Sequence, residues 1–142
     1  MGKNIYGKAN VSVNSWEEAI RSAGEILLNK GYIKNEYIDN MIGAVKEYGP
    51  YIVIDEGIAL AHANPADGAI KTGISVITLN PPIDFGCDND PVKILIALSA
   101  ADNNDHIQVL ASLAEFLSDK NNITMLEKAD GKEIENLVRG II

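Results

Sequence analysis

YIVIDEGIALAHANPADGAIKTGISVITL, residues 51–79, is the stretch on which the fold turns. Tyr51-Ile52-Val53-Ile54 and Ile58-Ala59-Leu60-Ala61 are short apolar runs, divided by the turn-like Asp55-Glu56-Gly57. Lys71 to Leu79 alternates and is rich in β-branched residues. All three therefore read as strands, and Pro81-Pro82 is expected to close the third. Pro65 has no backbone donor and resists extending a ladder, so the second strand stops abruptly at His62-Ala63-Asn64. That places His62 at a strand end, its ring near a sheet edge, with solvent and partners within reach.

Upstream of this stretch the period is helical. A helix is expected from Trp16 to Lys30, with Ser15 and Glu18 as a capping box. Trp16, Ala19, Ile20, Ala23, Ile26 and Leu27 form its apolar stripe, and Gly31 stops it. A second runs from Glu36 to Tyr48, capped by Asn35 and ended by Gly49-Pro50. Downstream of the loop DFGCDNDP, residues 92–100 are too apolar to have a wet face and predict a central strand. Helices follow from His106 to Ser118, around Ile123 to Lys128, and from Lys132 to Arg139. Helices, then strands, then helices predict an α/β fold: one layered domain over residues 1–142, with a central mixed β-sheet flanked by helices. No repeat, low-complexity tract or linker interrupts it.

Composition narrows the function. With 142 residues and 46% hydrophobic content, the chain can build one core and is too short for two comfortable domains. Twelve Lys plus Arg against 20 Asp plus Glu give a net charge of −8, which repels phosphate backbones. Nucleic acid is therefore not an expected partner, whereas a protein with a basic face is. The N-terminal segment carries no apolar core of signal-peptide length, and the longest apolar run is far below the roughly 20 residues that span a bilayer. No direct membrane insertion is expected. The single Cys87 fits a reducing, cytoplasmic setting, and the aspartates beside it disfavour a thiolate nucleophile.

The two histidines, His62 and His106, are the main chemical assets. They lack the HxxxH, HExxH or CxxC spacing of a metal site, and no metal is expected. No G-x-S-x-G elbow, Walker loop or G-x-G-x-x-G turn appears, so neither a serine triad nor a bound nucleotide cofactor is indicated. What remains is an imidazole nucleophile. A hydrogen bond to one ring nitrogen fixes which lone pair is available, and attack on phosphorus needs that pair in line, with donors for the equatorial oxygens. Backbone N–H groups at Ala63-Asn64 and a second imidazole at His106 can supply such donors. Residue pattern alone leaves another reading open, in which His62 is a satisfied, half-buried strand residue and His106 a first-turn helix residue facing water.

Three segments taken together, GIALAHANP (57–65), KTGISVITL (71–79) and DNNDHIQVLASLAEFL (102–117), resemble the type-2 EIIA domains of the bacterial phosphoenolpyruvate:sugar phosphotransferase system, the mannitol/fructose family. The likeness runs over about residues 14–140. EYGPYIVI (47–54), HANPADGAIKTG (62–73) and NDPVKILIAL (89–98) resemble most the ascorbate-type branch. The resemblance implies a phosphotransferase component without a cofactor. His62 would accept a phosphoryl group from the carrier HPr and pass it to a cysteine on the cognate EIIB, and through it to membrane EIIC, during sugar uptake such as that of L-ascorbate. It implies His106 as the residue that holds the phosphoryl group. Glu56, six residues before His62, falls where mannitol-type members place a functional glutamate, or is a solvated turn carboxylate. Asn64 and Thr72 are candidate polar neighbours of the phosphoryl group. Two departures stand out. The arginine of mannitol and fructose members is missing from AVKEYGP, where Lys46 is the nearest cation and cannot reproduce guanidinium contacts. Ala61 also replaces the frequent proline. A regulatory EIIA-like module, whose phosphorylation controls binding to another protein, and a non-catalytic binding domain are the alternatives.

Overall fold

The computed structural model describes residues 4–141. Along the chain come β1 (Ile5–Val11), α1 (Trp16–Asn29), α2 (Asn35–Tyr48), β2 (Val53–Asp55), β3 (Ile58–Ala61), a single 3-10 turn (Pro65–Asp67), β4 (Gly73–Ile83), β5 (Val92–Ser99), α3 (Asn103–Leu117), α4 (Lys120–Lys128) and α5 (Gly131–Leu137). The strands form one mixed sheet in the order β1-β4-β5-β3-β2. β3 runs parallel to β5 and β1 parallel to β4, while β4–β5 and β2–β3 are antiparallel.

Side-chain alternation divides the core into two layers. Ala59, Ala61, Ile77, Leu95 and Ala97 face α1 and α2, packing with Ile20, Leu27, Tyr37, Ile38 and Met41. Ile58, Leu60, Ile74, Val76, Ile94, Ile96 and Leu98 face the other way, onto Val109, Leu113, Leu126 and Ile134 of the last three helices. β5 is central and buried on both faces, as its sequence predicts. The small Ala59, Ala61 and Ala97 let the first helical layer sit close over the strands that end at the site.

Beyond small shifts at the ends of other elements, the structure differs from the sequence reading in β1, β4 and the starts of α2 and α3. The sequence does not predict β1: Gly7, Lys8 and Asn10 break the apolar alternation of IYGKANV, and its pairing is supplied by β4. Gly7 is needed there, because a Cβ would lie 2.7 Å from the Gly131 carbonyl of α5. β4 does not close at Pro81-Pro82 but runs on to Ile83, which pairs with Val92. The prolines sit in an irregularity where the register jumps from Thr78↔Ile94, so the ladder does not need their missing donors. α2 begins at Asn35 itself, with Lys34 as a cap that makes no side-chain bond. α3 begins at Asn103, capped by Asp102, so His106 lies within its first turn and does not open it.

Candidate active site

β3 is flanked by β5 and β2, so His62 is not on an edge strand. It is reachable because the chain leaves the sheet after Ala61. β3 and β5 are parallel neighbours, and their carboxyl ends deliver His62 directly and His106 through the loop into α3. Crevices beyond the carboxyl ends of parallel strands are the usual ligand sites of α/β sheets. Here a cleft of about 430 Å³ opens between α2, the loop after β3 and the start of α3. Asn40, Tyr48, Tyr51, His62, Asn64, Asn103 and His106 are among its lining residues.

The imidazoles of His62 and His106 lie side by side, centroids 5.4 Å apart and planes tilted by 55°. Nδ1 of His62 is 2.9 Å from the Leu60 carbonyl oxygen. A carbonyl oxygen can only accept, so Nδ1 carries a proton, and in the neutral ring the lone pair is on Nε2. His106 differs. Its Nδ1 is buried with no hydrogen-bond partner among the described residues. Burial first, and the neighbouring His62 second, lower its pKa from the ordinary 6.5. The ring is therefore held neutral, and the arrangement that avoids a stranded buried N–H puts its proton on Nε2, as a donor.

Three local devices fix these rings. The phenol of Tyr37, buried under α2, donates to the Leu98 carbonyl at 2.8 Å and accepts from the Ala63 N–H at 3.1 Å, joining the ends of β5 and β3. Burial, partly offset by the bond with Ala63, pushes its pKa up to about 12, so it stays protonated as this donor. Thr72, just before β4, donates to Asp105 at 2.7 Å and accepts from the Ala101 N–H at 2.9 Å, tying the first turn of α3 to the sheet. Asp102 then caps α3 by accepting from the Asp105 N–H.

Of the residues singled out from sequence, His62, His106 and Asn64 meet in this cleft. The Asn64 oxygen accepts from Ala66 N–H, which leaves its amide nitrogen to face a ligand. Thr72 is not among the residues lining the cleft; its proton goes to Asp105, so it ties the first turn of α3 to the sheet. Glu56 is not brought here at all. It lies in the β2–β3 turn at the other end of β3, roughly 20 Å away along extended backbone, on a separate cleft with Lys93, Lys120 and Glu127. Lys46 is likewise not among the cleft residues, and no Lys or Arg lines it among the described residues. Tyr37, Tyr48, Tyr51, Asp105 and Asn103 were missed as site residues. Tyr37 reads as one more inward position of a helical stripe, while Tyr48 and Tyr51 flank a helix stop that points nowhere until α2 is docked.

The sequence model of the family described as "Phosphoenolpyruvate-dependent sugar phosphotransferase system, EIIA 2" matches residues 4–139. The chain belongs to that family. This EIIA chain is 34% identical over 128 residues to the ascorbate-specific PTS system EIIA component of Salmonella choleraesuis, covering 89% of the chain and 83% of the relative. It is 36% identical over 122 residues to the mannitol-specific cryptic phosphotransferase enzyme IIA component of Escherichia coli, covering 86% and 83%. Its structure is similar to that of enzyme IIA in the complex of mannitol enzyme IIA with phosphorylated enzyme IIB from Escherichia coli, with a TM-score of 0.81, 30% identity, and 99% and 96% of the two chains covered. The family, the layered mixed sheet and the role of a phosphotransferase component expected from sequence are thus those of this EIIA chain.

Proposed function

We propose that His62 is the phosphoryl acceptor of this EIIA chain, taking the group from phosphorylated HPr and passing it to a cognate EIIB in a cytoplasmic relay that feeds sugar uptake. The observation that carries the assignment is the Nδ1–H bond to Leu60, which reserves Nε2 as the nucleophile beside a second, neutral imidazole. In the forward step the Nε2 lone pair forms the bond to phosphorus as the bond to the donor's histidine nitrogen breaks, and that electron pair leaves with the donor. Nδ1 keeps its proton and the Leu60 carbonyl steadies the positive charge that the ring gains. In the second step the EIIB thiolate attacks phosphorus and Nε2 recovers its pair.

The equatorial oxygens carry negative charge, and among the described residues no lysine or arginine of this cleft balances it. Neutral donors are left to do so: Nε2–H of His106, the Asn64 amide, and the N-terminal turn of α3, which Asn103 brings to the cleft and whose dipole favours an anion. A site without a fixed cation suits a carrier, which must release the group as readily as it accepts it. The ascorbate- and mannitol-specific relatives support L-ascorbate or a hexitol as the class of sugar served. Incubation with phosphoenolpyruvate, enzyme I and HPr should yield an acid-labile, base-stable adduct, absent in His62→Ala, and a panel of EIIB acceptors identifies the sugar branch. A wild-type chain that acquires no adduct would refute the assignment.

A further inference from the structure

Tyr48 and Tyr51 flank the Gly49-Pro50 turn that ends α2, and the turn is fixed by Gly49 at φ 85° and by the Tyr51 N–H bond to the Gly49 carbonyl at 2.8 Å. Their rings meet at 6.5 Å and 79°, and Tyr51 meets the His62 imidazole at 6.0 Å and 84°. Four rings therefore run in series across the cleft: Tyr48, Tyr51, His62, His106. His62 itself is only half-buried, and among the described residues a single hydrogen bond, from Nδ1 to Leu60, holds its ring orientation. A half-turn about Cβ–Cγ would break that bond and exchange Nε2 for a carbon at the reacting position. One partly exposed hydrogen bond holds an orientation weakly against such a turn. A perpendicular aromatic neighbour adds a favourable edge-to-face contact that such a turn would disturb. Tyr51 is 46% exposed, and apart from His62 its ring packs only on Tyr48 among the described ring contacts.

We infer that Tyr51 is a positioning residue for phosphoryl transfer, its ring locking the His62 imidazole in the orientation that presents Nε2. The inference rests on His62 being the acceptor. It assigns the role to the ring and not to the phenol oxygen, which makes no hydrogen bond with His62 among the described residues and is not needed for the packing.

The test compares Tyr51→Phe and Tyr51→Leu with the wild type in two measurements. The first is ¹⁵N NMR of the His62 ring in the unphosphorylated protein. Wild type and Tyr51→Phe should show one tautomer, Nδ1–H, and Tyr51→Leu a mixture. The second is single-turnover transfer from phospho-HPr over a range of donor concentrations. Tyr51→Leu should lose about tenfold in the maximal rate, with half-saturation unchanged, and Tyr51→Phe should retain the wild-type rate. A Leu variant that matches wild type in both measurements overturns the inference. So does a loss confined to half-saturation, which would make Tyr51 a docking residue, or a Phe variant as slow as Leu, which would assign the role to the hydroxyl. If the wild type takes no phosphoryl group, the acceptor assignment fails on its own, and the tautomer measurement still decides whether Tyr51 holds the ring.

Discussion

The buried Nδ1 of His106 has no partner among the described residues, so protonating this ring would strand an N–H donor away from water. Burial and then His62 hold its pKa below the ordinary 6.5 in the folded chain. As pH falls through 6.5 the unfolded chain binds this proton before the native one does, so stability declines with acidification. The contribution is complete above 6.5 and is lost as pH passes down through the native value. Denaturant midpoints should therefore drop between pH 7.5 and 5.5, and His106→Gln, which keeps a donor but cannot titrate, should flatten that drop. An equal slope in the variant would show that other groups set it. Tyr37 provides a second test at this scale. Tyr37→Phe leaves the Leu98 carbonyl and Ala63 N–H without their shared partner in a buried place. The expected cost is about 1–3 kcal/mol in thermal or chemical denaturation, together with slower transfer through His62.

Among elements, α3 shows what sequence could and could not convey. Its apolar stripe and its Asp102 cap are local, and periodicity finds the helix. What places the helix is Thr72, far away in sequence, whose hydroxyl bridges Asp105 and Ala101. Thr72→Val keeps the shape and removes both bonds, and should slow transfer several-fold at a stability cost of about 1–3 kcal/mol, while Thr72→Ser retains activity. Single-turnover rates of the three proteins check this, and a Val variant as fast as wild type would release α3 from that tether. The same division between local and long-range causes explains the elements read well and those missed. α1, with Ser15 accepting from Glu18 N–H, and β5, apolar on both faces, carry their own signals. β1 carries none, since a strand containing Gly7, Lys8 and Asn10 is defined by β4 beside it and by α5 above. The second half of β4 is masked by Pro81-Pro82, which sequence reads as an end and the sheet absorbs as an irregularity.

At the scale of the molecule, the parallel pairing of β3 with β5 gives the sheet two chemically distinct ends. The segment GIALAHANP made His62 legible, and DNNDHIQVL made His106 legible. That the two rings would touch, with Tyr37 and Tyr51 around them, is a property of strand order, which no local pattern contains. Strand geometry also corrects the sequence reading of Glu56. A spacing of six residues looks short on paper, but through an extended β3 it carries the carboxylate to the opposite end, where it shares a cleft of about 310 Å³ with Lys93 and Lys120. A carboxylate there has no path to the phosphoryl group, and across roughly 20 Å of protein edge its field on the reacting oxygens is weak beside that of groups in contact. Glu56→Gln should therefore leave both the rate of phosphorylation by phospho-HPr and the yield of phosphohistidine within about twofold of wild type, while His106→Ala slows the same step by at least about tenfold. The two variants run side by side in one quench experiment set the chemistry at one end of the sheet. A Glu56→Gln defect as large as that of His106→Ala would require the far end to act through a partner protein that spans both.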